Sequence, residues 1–228
     1  MSYEDAQDVV DKFMDDTRQK IRGRQKRRKK SIAKTRDSDI LSDEDVVFES
    51  RSYRNAIATE EKKIYKDDVE TAVILDRNGN VVFRASSEAK NFVRFTPDQL
   101  EKMKGNVLTH NHPSNSTFSS EDVSLMAACD LNAIRATGKK KTYQLSRKSG
   151  ARGNDLAEDY KAAMADNKSI TDKKYANLNN DYREGTINYK EYAETVQNLN
   201  NELNLMNSEW LKSNAKSYGY RYSVIERR

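Results

Sequence analysis

The chain has 228 residues and a formal net charge of +5, and its hydrophobic content of 36% barely exceeds its charged content of 34%. This low hydrophobic content excludes a hydrophobic core that extends through the whole chain. No apolar stretch is long enough to cross a bilayer, so we expect no membrane partner. Only eight Gly and two Pro argue against an all-β protein, and the one cysteine, Cys129, excludes an internal disulfide and suits a reducing compartment.

Residues 1–66 are predicted to form a helical N-terminal region that contains a basic arm. Residues 2–22 and 43–66 have apolar side chains at helical spacing. Residues 18–36 carry eleven Lys or Arg and no acidic residue. The candidates for contact with nucleic acid or another polyanion are Arg22, Arg24, Lys26, Arg27, Arg28, Lys29 and Lys30. An acidic protein surface is an alternative partner, and a solvated arm without a fixed partner is another, because no aromatic side chain lies in the run to stack on bases.

Residues 67–150 are predicted to form a compact domain of mixed strands and helices. An Asn-Gly pair between two β-branched runs is the strongest short signal for a hairpin. Thr96 before Pro97 is a capping pattern that begins a helix. In chain order the predicted elements are strands at 71–76, 81–86 and 91–95, a helix at 96–105, a strand at 106–112, a helix that follows Ser119, and strands at 132–137 and 142–147.

Residues 151–228 are predicted to form a long helical hairpin. Apolar side chains on its second helix alternate in spacing between four and three, which is typical of a coiled-coil seam. The two facing sets are Tyr175, Leu178 and Tyr182 on the first helix and Tyr192, Val196, Leu199, Leu203, Met206 and Trp210 on the second. Self-association through residues 189–211 is the alternative to packing within the hairpin. Residues 220–225 alternate and can add an edge strand to the central sheet, so the chain is predicted to be an α+β protein.

Both histidines of the chain lie together at the end of the strand predicted at 106–112. His110 and His112 are two residues apart, so on a strand their rings face the same side. Asp122 follows on the first turn of the helix that Ser119 caps. Two imidazoles and a carboxylate are three ligands of the types that a catalytic zinc uses, and the fourth tetrahedral position is left to water, whose pKa zinc lowers toward about 7. The sequence therefore predicts a Zn²⁺ site, which still requires a carboxylate as general base.

The segment from His110 to Asp122, HNHPSNSTFSSED, resembles the His-x-His-Pro…Ser-x-x-Asp signature of the JAMM (MPN+, JAB) metalloproteases. That family includes deubiquitinating isopeptidases and related bacterial and phage proteins. The opening HNHPS is most similar to the prokaryotic branch with its RadC-like and phage-associated members, and the short interval from His112 to Ser119 fits that branch. The resemblance covers residues 69–148. It implies a JAB-like domain, layered like a cytidine deaminase and flanked by the N-terminal helices and the C-terminal hairpin.

The same resemblance implies a role for each residue of the site. The residues that correspond to the zinc ligands are His110, His112 and Asp122. Ser119 corresponds to the serine that helps to stabilise the oxyanion. Glu70, just before the first strand, matches the general base, and Glu88 and Glu121 are the rival candidates for that role.

The implied function is zinc-dependent hydrolysis of peptide or isopeptide bonds in a protein or peptide substrate, in the cytoplasm of a bacterial host. The alternative is a structural or interaction protein of a phage or mobile element that carries a JAB-like domain. Such a protein would be associated with the virion or its head and tail, and its helices and basic arm would bind the partners. A third alternative, metal-dependent chemistry on DNA, is supported by the basic arm alone.

Overall fold

A six-stranded mixed sheet organises the part of the chain that the computed structural model describes, residues 50–86 and 92–227. The strands are β1 (Thr71–Leu75), β2 (Val81–Ser86), β3 (Val107–Asn111), β4 (Ala133–Thr137), β5 (Lys141–Arg147) and β6 (Tyr220–Glu226). They lie in the order β2-β1-β3-β4-β5-β6, and every neighbouring pair is antiparallel except β3 and β4, which are parallel. The predictions for the first helix, the basic arm at 18–36 and Glu88 lie outside the described residues.

Helices pack on both faces of this sheet. They are α1 (Arg51–Ile64), α2 (Pro97–Lys102), α3 (Ser120–Ala128), α4 (Gly153–Arg183) and α5 (Tyr189–Asn214), with a 3₁₀ turn (Ala215–Tyr218) after α5. Successive side chains of a strand point to opposite faces, so Val73 and Leu75 share a buried cluster with Ile57 of α1. The alternate side chains of β1 join a larger core with α2 to α5 on the other face. The described chain is therefore α+β, as its sequence predicts, and none of these helices has the length and apolar character needed to cross a bilayer.

The hairpin and the capped helix that short sequence patterns predict are both present in the structure. β1 and β2 form the expected hairpin, in whose turn the Asp76 carboxylate accepts hydrogen bonds from the N–H groups of Asn78 and Asn80 at 2.8 and 2.9 Å. Gly79 in this turn has a φ of +85°, a conformation that favours glycine. Thr96 caps α2 through its side chain, and proline follows it at the first helical position. The hydrogen bonds that form this turn and this cap join residues only two to four positions apart in sequence.

The strand predicted at 91–95 is wrong. Residues 92–96 have neither helical nor strand conformation, so β2 is the edge of the sheet in the part of the chain that the structure describes. The ring of Phe95 packs edge-on against Phe83 of β2, with centroids 6.3 Å apart, and joins the core. The N–H of Thr96 donates into the cap of α2 at 2.9 Å. Packing of a partly buried aromatic ring and capping of a helix therefore replace strand pairing in this segment.

Helices α4 and α5 form the predicted helical hairpin, and their apolar seam closes within one chain. Leu178 of α4 and Leu199 of α5 are buried. The Tyr175 hydroxyl donates to a backbone carbonyl of α5 across the seam at 3.2 Å, and the rings of Tyr182 and Tyr192 lie 4.8 Å apart. Helix α4 thus packs against the seam of α5, as the sequence predicts. Self-association through the same seam stays a prediction.

The last strand, β6, confirms the predicted return of the chain to the central sheet. It pairs with β5 along its whole length and forms the edge opposite β2. Gly219, with a φ of +82°, ends the 3₁₀ turn before this strand. Leu156 of α4 and Leu211 of α5 share one buried cluster with Leu108 of β3. The hairpin therefore packs into the same core as the strand that carries the histidines.

Candidate metal centre

The two histidines and Asp122 come together at the C-terminal end of β3. His110 lies in β3, and His112 lies one residue beyond its end. Their ring centroids are 4.6 Å apart and their Nε2 atoms are 2.8 Å apart. Asp122, in the first turn of α3, brings Oδ1 to 3.1 Å from Nε2 of His110 and Oδ2 to 3.5 Å from Nε2 of His112. The structure thus brings together the three residues that the sequence suggests as ligands.

These three side chains can hold a metal ion. Their ligand atoms lie within 4.8 Å of one another, and both imidazoles are buried. Around a tetrahedral ion with bonds of about 2.0–2.1 Å, neighbouring ligand atoms lie about 3.3 Å apart, which is close to the observed 2.8 to 3.5 Å. Two imidazole nitrogens and a carboxylate oxygen are also ligand types that zinc and other divalent metals accept.

A backbone carbonyl determines which nitrogen of His112 faces the centre. Nδ1 of His112 lies 2.9 Å from the carbonyl oxygen of Ser116, which can only accept, so Nδ1–H is the donor. The neutral ring then has its lone pair on Nε2, the atom that faces Asp122. Metal-ligating histidines usually have such a partner on the second nitrogen. Nδ1 of His110, in contrast, is buried and has no hydrogen-bond partner among the described residues.

Ser119 caps α3 and orients the Asp122 carboxylate at the same time. Its hydroxyl and its backbone N–H both donate to Oδ2 of Asp122, at 2.9 and 2.8 Å. The N–H of Asp122 in turn donates to the hydroxyl oxygen of Ser119 at 3.1 Å. These bonds leave Oδ1 to face His110. The one hydroxyl proton of Ser119 is donated to Asp122 in this arrangement, and its action on an oxyanion stays a prediction.

Glu70, the residue just before β1, extends its side chain to the same centre. Ala72 pairs with His110 in the antiparallel ladder of β1 and β3. In such a ladder the residue two positions before Ala72, Glu70, lies opposite the residue two positions after His110, which is His112. Its Oε1 is 3.8 Å from Nε2 of His112, and its side chain is 13% exposed. Glu121 is exposed on the first turn of α3. Of the described candidates for the base, Glu70 is therefore the one that lies against a histidine.

Burial and mutual charge shift the pKa values of the site in the metal-free chain. Burial raises the pKa of Glu70, and this effect outweighs the lowering by the two histidines. Burial alone would also raise the pKa of Asp122, but the charges and hydrogen bonds of the histidines hold it well below its usual range. Burial lowers the pKa of His112, yet the hydrogen bond and the charge of Asp122 outweigh it and bring this pKa to about 9. His112 and Asp122 thus form a charged pair.

The centre opens into a cleft of about 2170 Å³. Pockets for small ligands typically measure about 300–1000 Å³, so this cleft has room for a segment of a polymer. Its lining combines apolar side chains, such as Phe92, Val93 and Phe95, with polar ones, such as Asn201 of α5. A polypeptide segment, with polar backbone groups and apolar side chains, suits such a mixed lining.

Three side chains from the hairpin and β6 hold the loop at 113–118, which follows His112 directly. The N–H of Thr117 donates to Oδ1 of Asn204 in α5 at 2.5 Å, and the Thr117 hydroxyl lies 2.8 Å from that of Tyr222 in β6. The Tyr160 hydroxyl in α4 donates to the last carbonyl of the loop at 2.7 Å. These residues lie 42 to 105 positions from their partners, so no local sequence signal points to them.

Comparison of the chain with protein-family models, with curated proteins and with solved structures finds no significant match. The function must therefore be inferred from the side chains themselves and from the motif that carries them. They provide a buried His-His-Asp group that can hold a metal ion, a carboxylate beside it and a cleft above it.

Proposed function

We propose that this chain is a zinc-dependent hydrolase of peptide or isopeptide bonds, built on a JAB-like domain. The observation that carries the proposal is the convergence of the His-His-Asp group beside Glu70, in a cleft with room for a polypeptide. The resemblance of residues 110–122 to the JAMM signature supports the same reaction. Zinc is the proposed metal because catalytic zinc sites use three such ligands and leave one tetrahedral position open.

The proposed roles match the position of each side chain. When bound, zinc would lower the pKa of a water molecule and polarise the carbonyl of the scissile bond. Glu70 accepts a proton from the attacking water and returns it to the leaving nitrogen, and its raised pKa suits a group that both accepts and releases a proton. A loop carbonyl keeps His112 in the tautomer with a free Nε2. Ser119 orients Asp122 and donates to the developing oxyanion once its hydroxyl leaves that carboxylate.

Metal content tests the first half of the proposal. Protein purified without added zinc is expected to contain about one zinc ion per chain, and His112→Ala is expected to lose it because two ligands hold zinc far less well than three. Elemental analysis measures this content. Glu70→Gln is the matched control and should keep its zinc, since Glu70 is not one of the proposed ligands. A wild-type protein that binds no zinc even when the metal is added would overturn the proposal.

Turnover tests the second half. Zinc-loaded protein is screened against peptide substrates and isopeptide-linked substrates. Glu70→Gln should lower turnover about 100- to 10,000-fold, the usual contribution of a general acid–base group, whereas the exposed Glu121→Gln should leave it unchanged. An undiminished rate in Glu70→Gln would remove Glu70 from the role. A wild type that binds zinc but cleaves neither class would favour the structural or interaction protein of a phage or mobile element, with a metal that only stabilises the fold.

A further inference from the structure

One buried side chain, located between the two histidines, holds the segment that carries Glu70. Asn111 is fully buried. Its Oδ1 accepts a hydrogen bond from the N–H of Thr71 at 2.7 Å. Its Nδ2 donates to the carbonyl oxygens of Asp67 and Val69, both at 3.0 Å. The amide thus uses its acceptor and both of its donor hydrogens on the one short segment around Glu70.

This segment lies where the regular hydrogen bonds between β1 and β3 end. Residues 65–70 connect α1 to β1 and belong to neither a helix nor a strand. The β1–β3 ladder reaches only to Ala72. Beyond it, the Asn111 amide binds the residues on both sides of Glu70. The backbone of Glu70 is therefore fixed before and after its side chain, whose carboxylate lies 3.8 Å from His112.

We propose that Asn111 is a positioning residue that fixes the Glu70 carboxylate against the metal centre. The catalytic consequence of this inference rests on the proposed function, whereas its geometric part does not. Alternation along β3 turns Asn111 away from the face that the histidines share, so it acts on the reaction only through the backbone of Glu70. Along the end of β3 and the residue after it, the proposed metal ligands His110 and His112 thus lie on either side of the residue that positions the base.

Thr109 provides a matched control for the loss of a buried hydrogen bond. It lies on the same strand and the same face, two residues before Asn111, and it is as deeply buried. Its hydroxyl donates to Oε1 of Glu61 in α1 at 3.1 Å and not to the segment around Glu70. Thr109→Val therefore shows how far a general loss of stability affects turnover.

The kinetic test compares Asn111→Ala with Thr109→Val, each in the wild-type and in the Glu70→Gln background, with zinc-loaded protein. Asn111→Ala should lower kcat by up to about 100-fold, because displacement of a catalytic group by about 1 Å has that effect, while KM and zinc content stay unchanged. Thr109→Val should leave kcat unchanged. In the Glu70→Gln background, Asn111→Ala should cause no further loss. An equal fall of kcat in both variants, or a further loss in the absence of the Glu70 carboxylate, would contradict the proposed role.

Amide hydrogen exchange tests the geometry without any substrate. In Asn111→Ala the N–H of Thr71 loses its acceptor and should exchange about tenfold faster, whereas Thr109→Val should leave its exchange unchanged. Asn111→Thr, which introduces a better strand former, replaces the alanine variant if that protein does not fold. Unchanged protection of Thr71 in a folded Asn111 variant would overturn the proposal. A wild type that cleaves nothing would refute the hydrolase, and the exchange rates would still decide whether Asn111 holds the segment.

Discussion

His112 and Asp122 shift each other's pKa when no metal is present. Despite its burial, His112 has a pKa of about 9 because of Asp122, and the histidines hold the pKa of Asp122 well below its usual range. The contribution of Asp122 to stability is present above its ordinary pKa of 3.8 and is lost as the pH falls. The contribution of His112 is complete below 6.5 and is lost as the pH rises through about 9. The pair therefore stabilises the metal-free fold most between pH 3.8 and 6.5, and this stabilisation declines as the pH rises from 6.5 to about 9.

Zinc binding near pH 7 should release about one proton per chain, because a ligand imidazole must be neutral. Since the pKa of His112 is about 9 before the metal binds, the apparent affinity should rise about tenfold per pH unit from pH 7 to 9 and level off above. Calorimetry in buffers of different ionisation enthalpy counts the protons, and titrations above pH 9 are the control. A count of zero at pH 7 would show that His112 is already neutral in the metal-free protein.

The loop between β3 and α3, residues 113–118, links the metal centre to the C-terminal hairpin. Its backbone and side chains are bound by Asn204 of α5, Tyr160 of α4 and Tyr222 of β6. The same loop supplies the carbonyl oxygen that accepts the Nδ1 proton of His112. The hairpin therefore supports the orientation of a proposed ligand although it contributes none of the three proposed ligands.

Asn204→Ala should weaken zinc binding about tenfold, because loss of a group that orients a metal ligand typically costs about 10- to 100-fold in affinity. Asn200→Ala is the matched control: Asn200 lies one turn earlier on α5, and its side chain accepts a hydrogen bond from Tyr175 within the hairpin. Competition with a chromogenic chelator measures both affinities. If the two variants bind zinc equally well, the hairpin does not support the metal centre in this way.

Short-range signals predict most elements of this fold, but contacts between residues far apart in sequence hold the segments next to the candidate site. The Asn-Gly turn, the caps at Thr96 and Ser119 and the two-residue spacing of the histidines involve neighbours in sequence, and the elements they predict are present. The strand at 91–95 fails because an aromatic contact and a helix cap compete with strand pairing. Asn111 and Asn204 bond to residues 40 and 87 positions away, which no local pattern indicates.

The sheet separates the metal centre from a buried ion pair on its other face. Glu61 of α1 accepts hydrogen bonds from Arg135 of β4 at 2.6 Å and from Thr109 of β3 at 3.1 Å. Arg135 also donates to Gln144 of β5. The side chains of Glu61 and Arg135 are only 6% and 13% exposed, so removal of either one leaves a buried charge without its partner. This network ties α1 to the centre of the sheet without contact to the cleft.

Arg135→Leu should lower the free energy of unfolding by about 3–5 kcal/mol, because the Glu61 carboxylate stays buried without its partner. Arg147→Leu is the matched control, since Arg147 pairs with the half-exposed Asp130, and such a surface pair contributes about 0–1 kcal/mol. Both variants should bind zinc as the wild type does, because neither arginine contacts the metal centre. Urea denaturation of the zinc-free proteins measures the two losses. Similar losses in both variants would show that the buried pair contributes no more to stability than the surface pair. Weaker zinc binding in Arg135→Leu alone would show that the two faces of the sheet are not energetically separate.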